Sequence, residues 1–405
     1  MSLATVQNPT AEASHPPLRG VRVLDLTRYL AGPYCTMLLA DMGAEVIKIE
    51  PPSGGREFAA TSTGTESYFF LSANRNKKSV TLDIKSAEGR AVFRRLLDDA
   101  DVVVENFRPS VMPSLGLGYN DLAHENPRLV YCNISGFGAS GPYAERPGFD
   151  QIAQGMSGLM SVTGTGESGP LRVGIAIGDL LAGIFAAYGI LLALYHRQQS
   201  GRGQEVTTSL LEALVGVLSW SAGIYFATGT APPPAGNHHP LAAPHGVFRA
   251  RDRHFNISCG NERQWRILCE AVGAPEWVTD ERFAGPLVRV ANRDALTALL
   301  NQRLAARDVE EWVVDLNERG VPCGPINNMA EVFADPQVLA RQMYVELPHP
   351  LLGVFKTTGL PVKLSASPGR IESLPPVLGA DTDSVLGDAG LSGEEIAALR
   401  RDKII

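Results

Sequence analysis

Short apolar segments alternate with helix-like segments through the first third of the chain, and this alternation limits the fold more than any other feature. Residues 21–26 and 44–49 are short apolar runs that predict strands, and residues 33–42 between them have helical spacing. Pro33 lies near the first turn of that helix and Gly43 ends it. Because such short links favour parallel strands joined by right-handed crossovers, this region predicts a β-α-β unit.

The same alternation continues to about residue 134. Residues 86–97 predict a helix with Ser86 as its N-cap, and further strands are predicted at 79–83, 101–105 and 129–134. We therefore expect a doubly wound α/β domain, in which ligands bind at the carboxyl ends of the strands. The first turn, residues 27–33, has no G-x-G-x-x-G sequence before its helix, which argues against NAD or FAD.

Segments rich in proline and glycine divide the rest of the chain. Between the linkers at 229–236 and 320–325, a hairpin-like pair of strands precedes three helical segments, which predicts a small α+β domain. The chain then becomes β-rich again and ends in a helix over 394–401. We predict a flexible lead at 1–17. A Rossmann-like large domain is built from both ends of the chain, at 18–228 and 326–405, and a small inserted domain with its linker covers 229–325.

Composition excludes several functions. The net charge of −7 argues against nucleic-acid binding, which needs a basic surface. The five cysteines include no C-x-x-C pair, so no zinc-site spacing is present. The first 17 residues lack a basic segment followed by an apolar core, so we expect no signal peptide and a cytoplasmic protein. The histidine cluster also lacks the spacing of metal ligands, and we expect no metal at His238, His239, His245 and His254.

A single acidic residue, Asp179, lies in one of the most apolar stretches of the chain, residues 171–194. It follows Gly178 at the start of a run that predicts a long buried helix, and a second helical stretch is predicted over 206–227. The first run is long enough to cross a bilayer. Asp179 and four glycines interrupt its apolar character, so we expect a core helix and no membrane contact.

At the start of a helix, Asp179 can cap free backbone N–H groups and gain from the positive end of the helix dipole. Both effects would lower its pKa and keep it ionised. An ionised carboxylate beside apolar surface can act as a nucleophile, although capping alone would also explain an aspartate at this position. Capping is likewise the default interpretation of Asp150, which precedes another helix-like stretch.

Basic residues upstream indicate an anionic ligand. The turn over 74–79 carries three basic side chains, which either hold a phosphate or face solvent. The segment over 105–109 follows a predicted buried strand at its carboxyl end, next to the expected ligand crevice. These residues together indicate an anionic ligand and allow acyl chemistry at Asp179.

Taken in order, these stretches resemble the class III CoA-transferases, the family of formyl-CoA transferase, carnitine CoA-transferase and the α-methylacyl-CoA racemases. The resemblance runs from about residue 18 to 405. It is carried by Leu18-Arg-Gly-Val-Arg-Val-Leu-Asp-Leu-Thr27, Ala31-Gly-Pro33, Gly43-Ala-Glu-Val-Ile-Lys-Ile-Glu50, Asn74-Arg-Asn-Lys77, Val104-Glu-Asn-Phe107, Gln154-Gly-Met-Ser-Gly158, Gly178-Asp179, Ser200-Gly-Arg-Gly-Gln204 and Leu378-Gly-Ala-Asp-Thr382.

The resemblance implies an interlocked homodimer, CoA thioesters as substrates and no tightly bound cofactor. It makes Asp179 the catalytic residue, which would carry first an acyl group as a mixed anhydride and then CoA as a thioester. It places CoA along a set of residues comprising Leu30, Ala31, Arg75, Lys77, Leu82, Lys85, Asn106, Phe107, Arg108 and Asp150.

The sequence differs from formyl-CoA transferase at several ligand positions. Pro52, Ser114 and Pro147 replace basic residues of that enzyme, and the candidates to compensate are Arg56, Arg75 and Arg146. The segment Gly236-Asn-His-His-Pro240 replaces its glycine-rich loop, which argues against formate and oxalate as substrates. We expect succinyl-CoA as donor and a small anionic acceptor, whose distal charge meets His238, His239 or a nearby arginine.

Two alternatives remain open. A racemase of this family pairs the aspartate with a histidine directly before the residue that matches Asp150, and this chain has Phe149 there. Because phenylalanine cannot transfer a proton, a racemase would lack its second acid/base. A CoA-binding protein without catalytic activity would not need an acid in the apolar stretch, and its function would survive replacement of Asp179.

Overall fold

The computed structural model describes residues 15–54, 56 and 67–405. These residues divide into two compact units. The first contains the described residues of Met1–Leu159 together with Arg172–Trp220 and Leu339–Ile405, and the second contains Met160–Leu171 and Ser221–Val338. The predicted lead at 1–17 lies almost entirely outside the described residues.

The strands of the described residues are, in chain order, β1 Arg22–Asp25, β2 Glu45–Glu50, β3 Lys77–Thr81, β4 Val102–Glu105, β5 Val130–Ser135, β6 Gly164–Thr165, β7 Gly169–Pro170, β8 Glu205–Ser209, β9 His245–Arg249, β10 His254–Ser258, β11 Cys323–Pro325, β12 Tyr344–His349 and β13 Gly353–Thr358.

The α-helices are α1 Ala31–Asp41, α2 Tyr68–Leu71, α3 Ala87–Leu97, α4 Val111–Ser114, α5 Tyr119–Glu125, α6 Asp150–Met156, α7 Leu159–Val162, α8 Ile177–Ser200, α9 Leu210–Gly216, α10 Ser219–Thr228, α11 Glu262–Ala271, α12 Pro286–Ala291, α13 Arg293–Leu304, α14 Val309–Glu318, α15 Met329–Ala334, α16 Pro336–Ala340, α17 Thr382–Asp388 and α18 Gly393–Arg401. A short 3₁₀ helix covers Pro275–Val278.

A parallel six-stranded sheet organises the first unit, in the order β3-β2-β1-β4-β5-β8. Val23 of β1 pairs with Val46 of β2 on one side and with Val102 of β4 on the other. The chain winds outwards from β1 in both directions, so the switch point lies between β1 and β4. The predicted α/β fold with a parallel sheet is confirmed, and the crevice beyond the carboxyl ends of these two strands is the expected ligand site.

Apolar clusters cover both faces of this sheet. On one face, the α1 and α8 side chains pack on Val23, Val104 and Cys132. The buried stripe of α8 consists of small and aliphatic residues, and Gly183 lies against α1 so closely that an added Cβ would come within 2.6 Å of the Ala31 carbonyl oxygen. The other face carries α3, α17 and α18, with Phe93 fully buried.

Helix α8 is long and apolar enough, by length and composition, to cross a membrane. In the structure one of its faces is buried in the first unit, from Gly178 to Leu194, as expected for a core helix. Its opposite face presents large apolar side chains to solvent in the isolated chain, namely Ile184, Phe185, Tyr188, Leu191, Leu192 and Tyr195.

Two expectations require correction. Residues 206–209 belong to strand β8, whose partner β5 lies about 70 residues earlier in sequence, so the helix expected over 206–227 begins only at α9. The unit boundaries also differ from those predicted. Residues 160–171 belong to the second unit because the small β6–β7 hairpin bonds to it, with the Gly236 N–H donating to the Gly164 carbonyl at 2.8 Å.

The second unit has its own core. The predicted hairpin is confirmed as β9 and β10, and β11 adds a third antiparallel strand. Helices α11, α13 and α14 cover this sheet, and the fully buried large side chains between them include Trp265 of α11, Trp312 of α14 and Phe255 of β10. The amphipathic spacing of these helices is therefore explained by burial of one stripe on the sheet.

Candidate active site

Asp179 is the third residue of α8, and its side chain is half-buried. The N-cap position belongs to Ala176, and no side chain of this segment caps the helix. The prediction that Asp179 itself caps α8 is therefore wrong. Asp150 performs this role from α6, because its Oδ1 accepts a hydrogen bond of 2.7 Å from the Gly178 N–H. The carboxylate of Asp179 remains available for another use.

A buried polar network holds the start of α8. Gln154 is fully buried, and its Nε2 donates to Asp150 Oδ2 at 2.7 Å and to the Ile175 carbonyl at 3.3 Å. Its Oε1 accepts from the Val173 N–H at 2.9 Å. A side chain at position 178 would be crowded, because an added Cβ would lie 3.0 Å from both Asp150 Oδ1 and Leu214 Cδ1. The network fixes the backbone directly before Asp179.

Burial, together with the smaller effect of the negative charge of Asp150, raises the pKa of Asp179 to about 7. The expectation of a lowered pKa is therefore wrong, because loss of hydration outweighs the helix dipole here. At neutral pH the carboxyl group exists in both protonation states. Its ionised form is poorly solvated and correspondingly more basic than an exposed aspartate, which suits a nucleophile.

Asp179 lines a cavity in the first unit. The walls come from the segments that follow β1, β4 and β5 and from the segment before α6, as the rule for open parallel sheets predicts. The lining residues are Arg28, Tyr29, Ala31, Asn106, Phe107, Arg108, Pro109, Ile134, Ser135, Gly136, Ala144, Arg146, Pro147, Gly148, Phe149, Asp179 and Leu210. Four predicted CoA contacts, Ala31, Asn106, Phe107 and Arg108, thus lie in one cavity with the predicted catalytic residue.

A second cavity continues from the first. It shares Arg28, Tyr29 and Phe107 with the Asp179 cavity and extends to Leu82 and Lys85. The two cavities together form a groove along the carboxyl ends of the strands. Leu30 is the N-cap residue of α1 between them, and Asp150 is buried behind Gly178 rather than in the lining.

Asn106 holds the two loops of the switch point together. Its Oδ1 accepts from the Arg28 N–H at 2.8 Å, and its Nδ2 donates to the Arg28 carbonyl at 2.7 Å. The side-chain amide is thereby used on protein backbone. Asn106 therefore shapes the groove, and the neighbouring Phe107 and Arg108 are the residues that face it.

Arg75 and Lys77 do not lie in the groove. The Arg75 guanidinium is buried and bonds Asp41 at 2.7 Å, and the buried Lys77 ammonium bonds Asp25 at 3.0 Å. The prediction that these two residues hold a CoA phosphate conflicts with these contacts. Two buried carboxylates need neutralising partners, and the basic turn over 74–79 supplies them.

Basic side chains that face solvent are found elsewhere along the groove. Arg28, Lys85, Arg108 and Arg146 are all exposed and line its cavities. Arg146 stacks on the Tyr143 ring at 3.8 Å. Arg56 also lines the groove, but it forms an ion pair of 2.8 Å with Glu50.

His238 and His239 belong to the second unit. His238 lines a cavity there with Arg253, His254 and Arg293. Burial and the positive charge of Arg293 both lower the pKa of His238. Among the residues that the structure describes, no group of three metal-binding side chains was found.

The chain matches a family model described as CoA-transferase family III over residues 18–382. The chain belongs to this family. An acetyl-CoA:oxalate CoA-transferase of Acetobacter aceti is 42% identical over 352 residues, which cover 86% of this chain and 89% of that protein. A succinyl-CoA:glutarate CoA-transferase of Homo sapiens is 37% identical over 373 residues, covering 91% and 85%. The crystal structure of a CaiB/BaiF family protein from Brucella suis has a TM-score of 0.83 at 39% identity and covers 93% of this chain and 100% of that one.

The family predicted from the sequence is confirmed, and the protein is a class III CoA-transferase. Phe149 lines the same cavity as Asp179 in this CoA-transferase. Its ring offers no proton for transfer at the position where a racemase would need an acid/base. The site therefore favours CoA transfer over racemisation.

The packing of several residues of this site is not evident from local sequence pattern. Gln154 was part of the family resemblance, but its buried position could not be predicted from local pattern. Gly136 and Gly148 bring the two loops into backbone contact, since a Cβ on Gly136 would lie 2.8 Å from the Gly148 Cα. The glycine-rich turn over 135–138 was the available signal, and it resembles many ordinary loops.

Proposed function

We propose that this class III CoA-transferase moves CoA from an acyl-CoA donor to a carboxylic acid through covalent intermediates on Asp179. The Asp179 carboxylate adds to the donor carbonyl, the C–S bond breaks, and CoA leaves as a thiolate with formation of a mixed anhydride. The thiolate then adds to the Asp179 carbonyl and releases the donor acid, which leaves an aspartyl-CoA thioester. The acceptor carboxylate reverses these two steps, so no net proton, water or energy source is needed.

One observation carries this proposal: a half-buried carboxyl group with a pKa of about 7 lines the switch-point cavity of a chain from this family. Asp150 accepts the hydrogen bond from the Gly178 N–H at the start of α8, so Asp179 is not needed as a helix cap. Exclusion of water is required for the mechanism, because both covalent intermediates are prone to hydrolysis. Mass spectrometry of the protein mixed with succinyl-CoA tests the proposal through a CoA-sized adduct on the peptide that contains residue 179.

We propose that CoA occupies the groove from Lys85 and Leu82, past Phe107, to the Asp179 cavity. The support is that the predicted contacts facing solvent fall along this groove, whereas Arg75 and Lys77 are used internally. Arg108 and Arg146 then take over the phosphate-binding role that the sequence first suggested for the turn at 74–79. Guanidinium groups suit this role because they bind phosphate oxygens through two parallel hydrogen bonds.

For the substrates, we propose succinyl-CoA as donor and a small dicarboxylate as acceptor, with His238 or His239 near the distal charge. One relative is named as a succinyl-CoA:glutarate enzyme, and another as an acetyl-CoA:oxalate enzyme. Similarity to an oxalate enzyme means that oxalate is also a candidate acceptor, although the glycine-rich loop of formyl-CoA transferase is replaced in this chain. Both acids and both donors therefore belong in any test.

We expect transfer from succinyl-CoA to glutarate to exceed transfer to a monocarboxylic acid of equal length by about tenfold or more in kcat/KM. The reason is that an acid without a second carboxylate leaves the polar groups at the distal end of the site without a partner. His238→Ala should reduce this ratio, while transfer to the monocarboxylic acid should stay near the wild-type rate. Chromatography of the acyl-CoA products measures both. Transfer to monocarboxylic acids alone would contradict the distal-charge proposal.

We also propose that a second copy of the chain covers the exposed apolar face of α8. Six large apolar side chains on one helix face, from Ile184 to Tyr195, make a patch that is unusual for a monomer. Light scattering on the purified protein should give twice the chain mass of 43.4 kDa. A mass of one chain at micromolar concentration would contradict this proposal.

A further inference from the structure

We propose that Tyr29 and Phe149 form an aromatic pair that keeps water away from the covalent intermediates on Asp179. This inference rests on the proposed function. Both rings line the cavity that contains Asp179. Their centroids lie 5.4 Å apart at an interplanar angle of 85°, an edge-to-face contact. The other lining residues are mostly basic, polar or small, so the two rings, together with Phe107, supply much of the apolar surface.

The backbone at Tyr29 is unusual. Its φ angle is +62°, in the left-handed region that residues with a bulky side chain rarely adopt. Such strain persists only where neighbouring contacts enforce it, and it is most common at functional sites. The ring of Tyr29 is nevertheless 42% exposed and Phe149 is 57% exposed, so apolar core packing does not account for either side chain.

Side chains hold the two residues before Tyr29 from both sides. The Thr27 N–H donates to Asp25 Oδ1 at 2.9 Å, and the Thr27 carbonyl accepts from Lys48 Nζ at 2.7 Å. Asn106 bonds both the N–H and the carbonyl of Arg28. Side chains therefore bond four backbone groups of these two residues, and they hold the backbone that leads into Tyr29.

Phe149 is fixed in a similar way from the opposite wall. It is the N-cap residue of α6, and its carbonyl accepts from the Ile152 N–H at 2.9 Å. The preceding Gly148 lies against Gly136 and the Phe137 ring, which leaves no space for a Cβ. The next residue, Asp150, is bonded to the start of α8. One short segment thus places both the ring and the carboxylate that orders the Asp179 backbone.

The competing reaction defines the role of the pair. Water can add to the carbonyl of the aspartyl-CoA thioester, after which the C–S bond breaks. CoA leaves as the thiol with one proton of the water, the other proton passes to solvent, and the Asp179 carboxylate is regenerated. The net result is hydrolysis of the donor acyl-CoA. Two apolar rings beside the intermediate lower the local water content and favour attack by the bound carboxylate. The quantity that they control is the ratio of hydrolysis to transfer.

The test uses the full chain with succinyl-CoA, with glutarate as acceptor or without an acceptor. Thiol release measures hydrolysis, and chromatography of the product CoA ester measures transfer. We expect the hydrolysis-to-transfer ratio to rise about tenfold or more in Tyr29→Gly and in Phe149→Ala, since each opens the apolar wall. Glycine is the replacement of choice at position 29 because it accepts the positive φ and preserves the fold.

Matched variants that keep the rings are Tyr29→Phe and Phe149→Tyr, and both should stay within about twofold of the wild-type ratio. The double variant should exceed the larger single effect only slightly, because the rings act as a pair. With ¹⁸O-labelled water, the variants should incorporate label into the peptide that contains Asp179.

Three results would overturn the inference: an unchanged ratio in folded Tyr29→Gly and Phe149→Ala, an equal rise in Tyr29→Phe, or loss of the Asp179 adduct in both ring-deleted variants. The last would assign the rings to substrate binding. A wild-type protein that forms no adduct on residue 179 would instead refute the proposed function itself, so the two failures are distinguishable.

Discussion

Replacing Asp179 with alanine abolishes CoA transfer and the CoA adduct: we expect kcat/KM to fall by about 10⁴-fold or more, the scale seen when a covalent nucleophile is removed. The physical reason is that no other carboxylate lines this cavity, within the part of the chain that the structure describes. Transfer assays with succinyl-CoA, together with peptide mass spectrometry, measure both effects. Turnover that survives the replacement would refute the covalent mechanism.

The same position provides its own folding control. The pKa of Asp179 is raised in the folded chain to about 7 from the ordinary value of 3.8. Its protonated form therefore favours folding at pH below 3.8, and this contribution is lost as the pH rises through about 7. An Asp179→Asn variant has no such loss and should be more stable than the wild type at pH 8 but not at pH 4. The full shift corresponds to about 4 kcal/mol, and solvent screening of this partly exposed group reduces the expected difference to about 2 kcal/mol.

Urea denaturation at the two pH values checks this expectation. Glu105 also has a pKa raised to about 7 by burial, but it is present in both proteins and cancels in the comparison. A variant that is inactive and more stable at pH 8 excludes misfolding as the cause of lost activity. An Asp179→Asn protein that is less stable at pH 8 would contradict the assignment of Asp179 as a destabilising, functional group.

Asp150 gives the second large effect. In Asp150→Ala, the Gly178 N–H and the Gln154 amide lose their buried partner, which should cost about 2 kcal/mol of stability. Activity should fall about 100-fold, because the backbone before the nucleophile is no longer fixed. Thermal unfolding and steady-state kinetics measure the two losses. Wild-type activity in this variant would show that the network has no positioning role.

The Asp150→Asn variant separates geometry from charge. Its amide oxygen can still accept from the Gly178 N–H, and the negative charge that raises the pKa of Asp179 is gone. The bond from Gln154 Nε2 to Asp150 Oδ2 is also lost, because the asparagine Nδ2 is a donor, so a fall in stability relative to the wild type is expected as well. Because the nucleophile acts in its ionised form, activity rises with pH through that pKa. The acid limb of the kcat/KM profile should therefore move to lower pH, while burial keeps the pKa above 3.8.

A suitable control is Glu88→Gln, which removes the same charge from an exposed position in α3 and should leave the profile unchanged. A profile measured between pH 5 and 9 resolves the difference. An acid limb that stays in place, or moves to higher pH, in Asp150→Asn would show that Asp150 does not act on the nucleophile through its charge.

The parallel sheet could be predicted because it depends on local pattern. The assignment of Asp179 as the catalytic residue came from the family resemblance and stays a prediction, since local pattern alone allowed a helix cap. Apolar runs of strand length recur with helical spacers between them, and a lone acid in an apolar helix is conspicuous. The role of Asp150 could not be predicted, since it bonds a backbone group 28 residues away. For the same reason, the ion pairs of Arg75 with Asp41 and of Lys77 with Asp25 could not be predicted. The basic character of the two residues had suggested phosphate binding instead.

Strand β8 could not be predicted either, because its extended form depends on a distant partner strand. Residues 205–209 include the strand-favouring residues Val206, Thr207 and Thr208, but the segment is short and directly precedes an apolar helix, so the prediction merged the two. Their extended form is stabilised by pairing with β5, a partner distant in sequence. This pairing cannot be read from the segment itself, which is why the boundary of the helix was misplaced.

The contact of Gly183 with the Ala31 carbonyl has a consequence for the chemistry. Residues 179 and 183 are one turn apart on the same side of α8, and Ala31 belongs to the same cavity wall as Asp179. Close packing of two helices thus sets the spacing from the Asp179 carboxyl group to that wall, so this distance depends on the sheet-covering layer of the fold rather than on a loop.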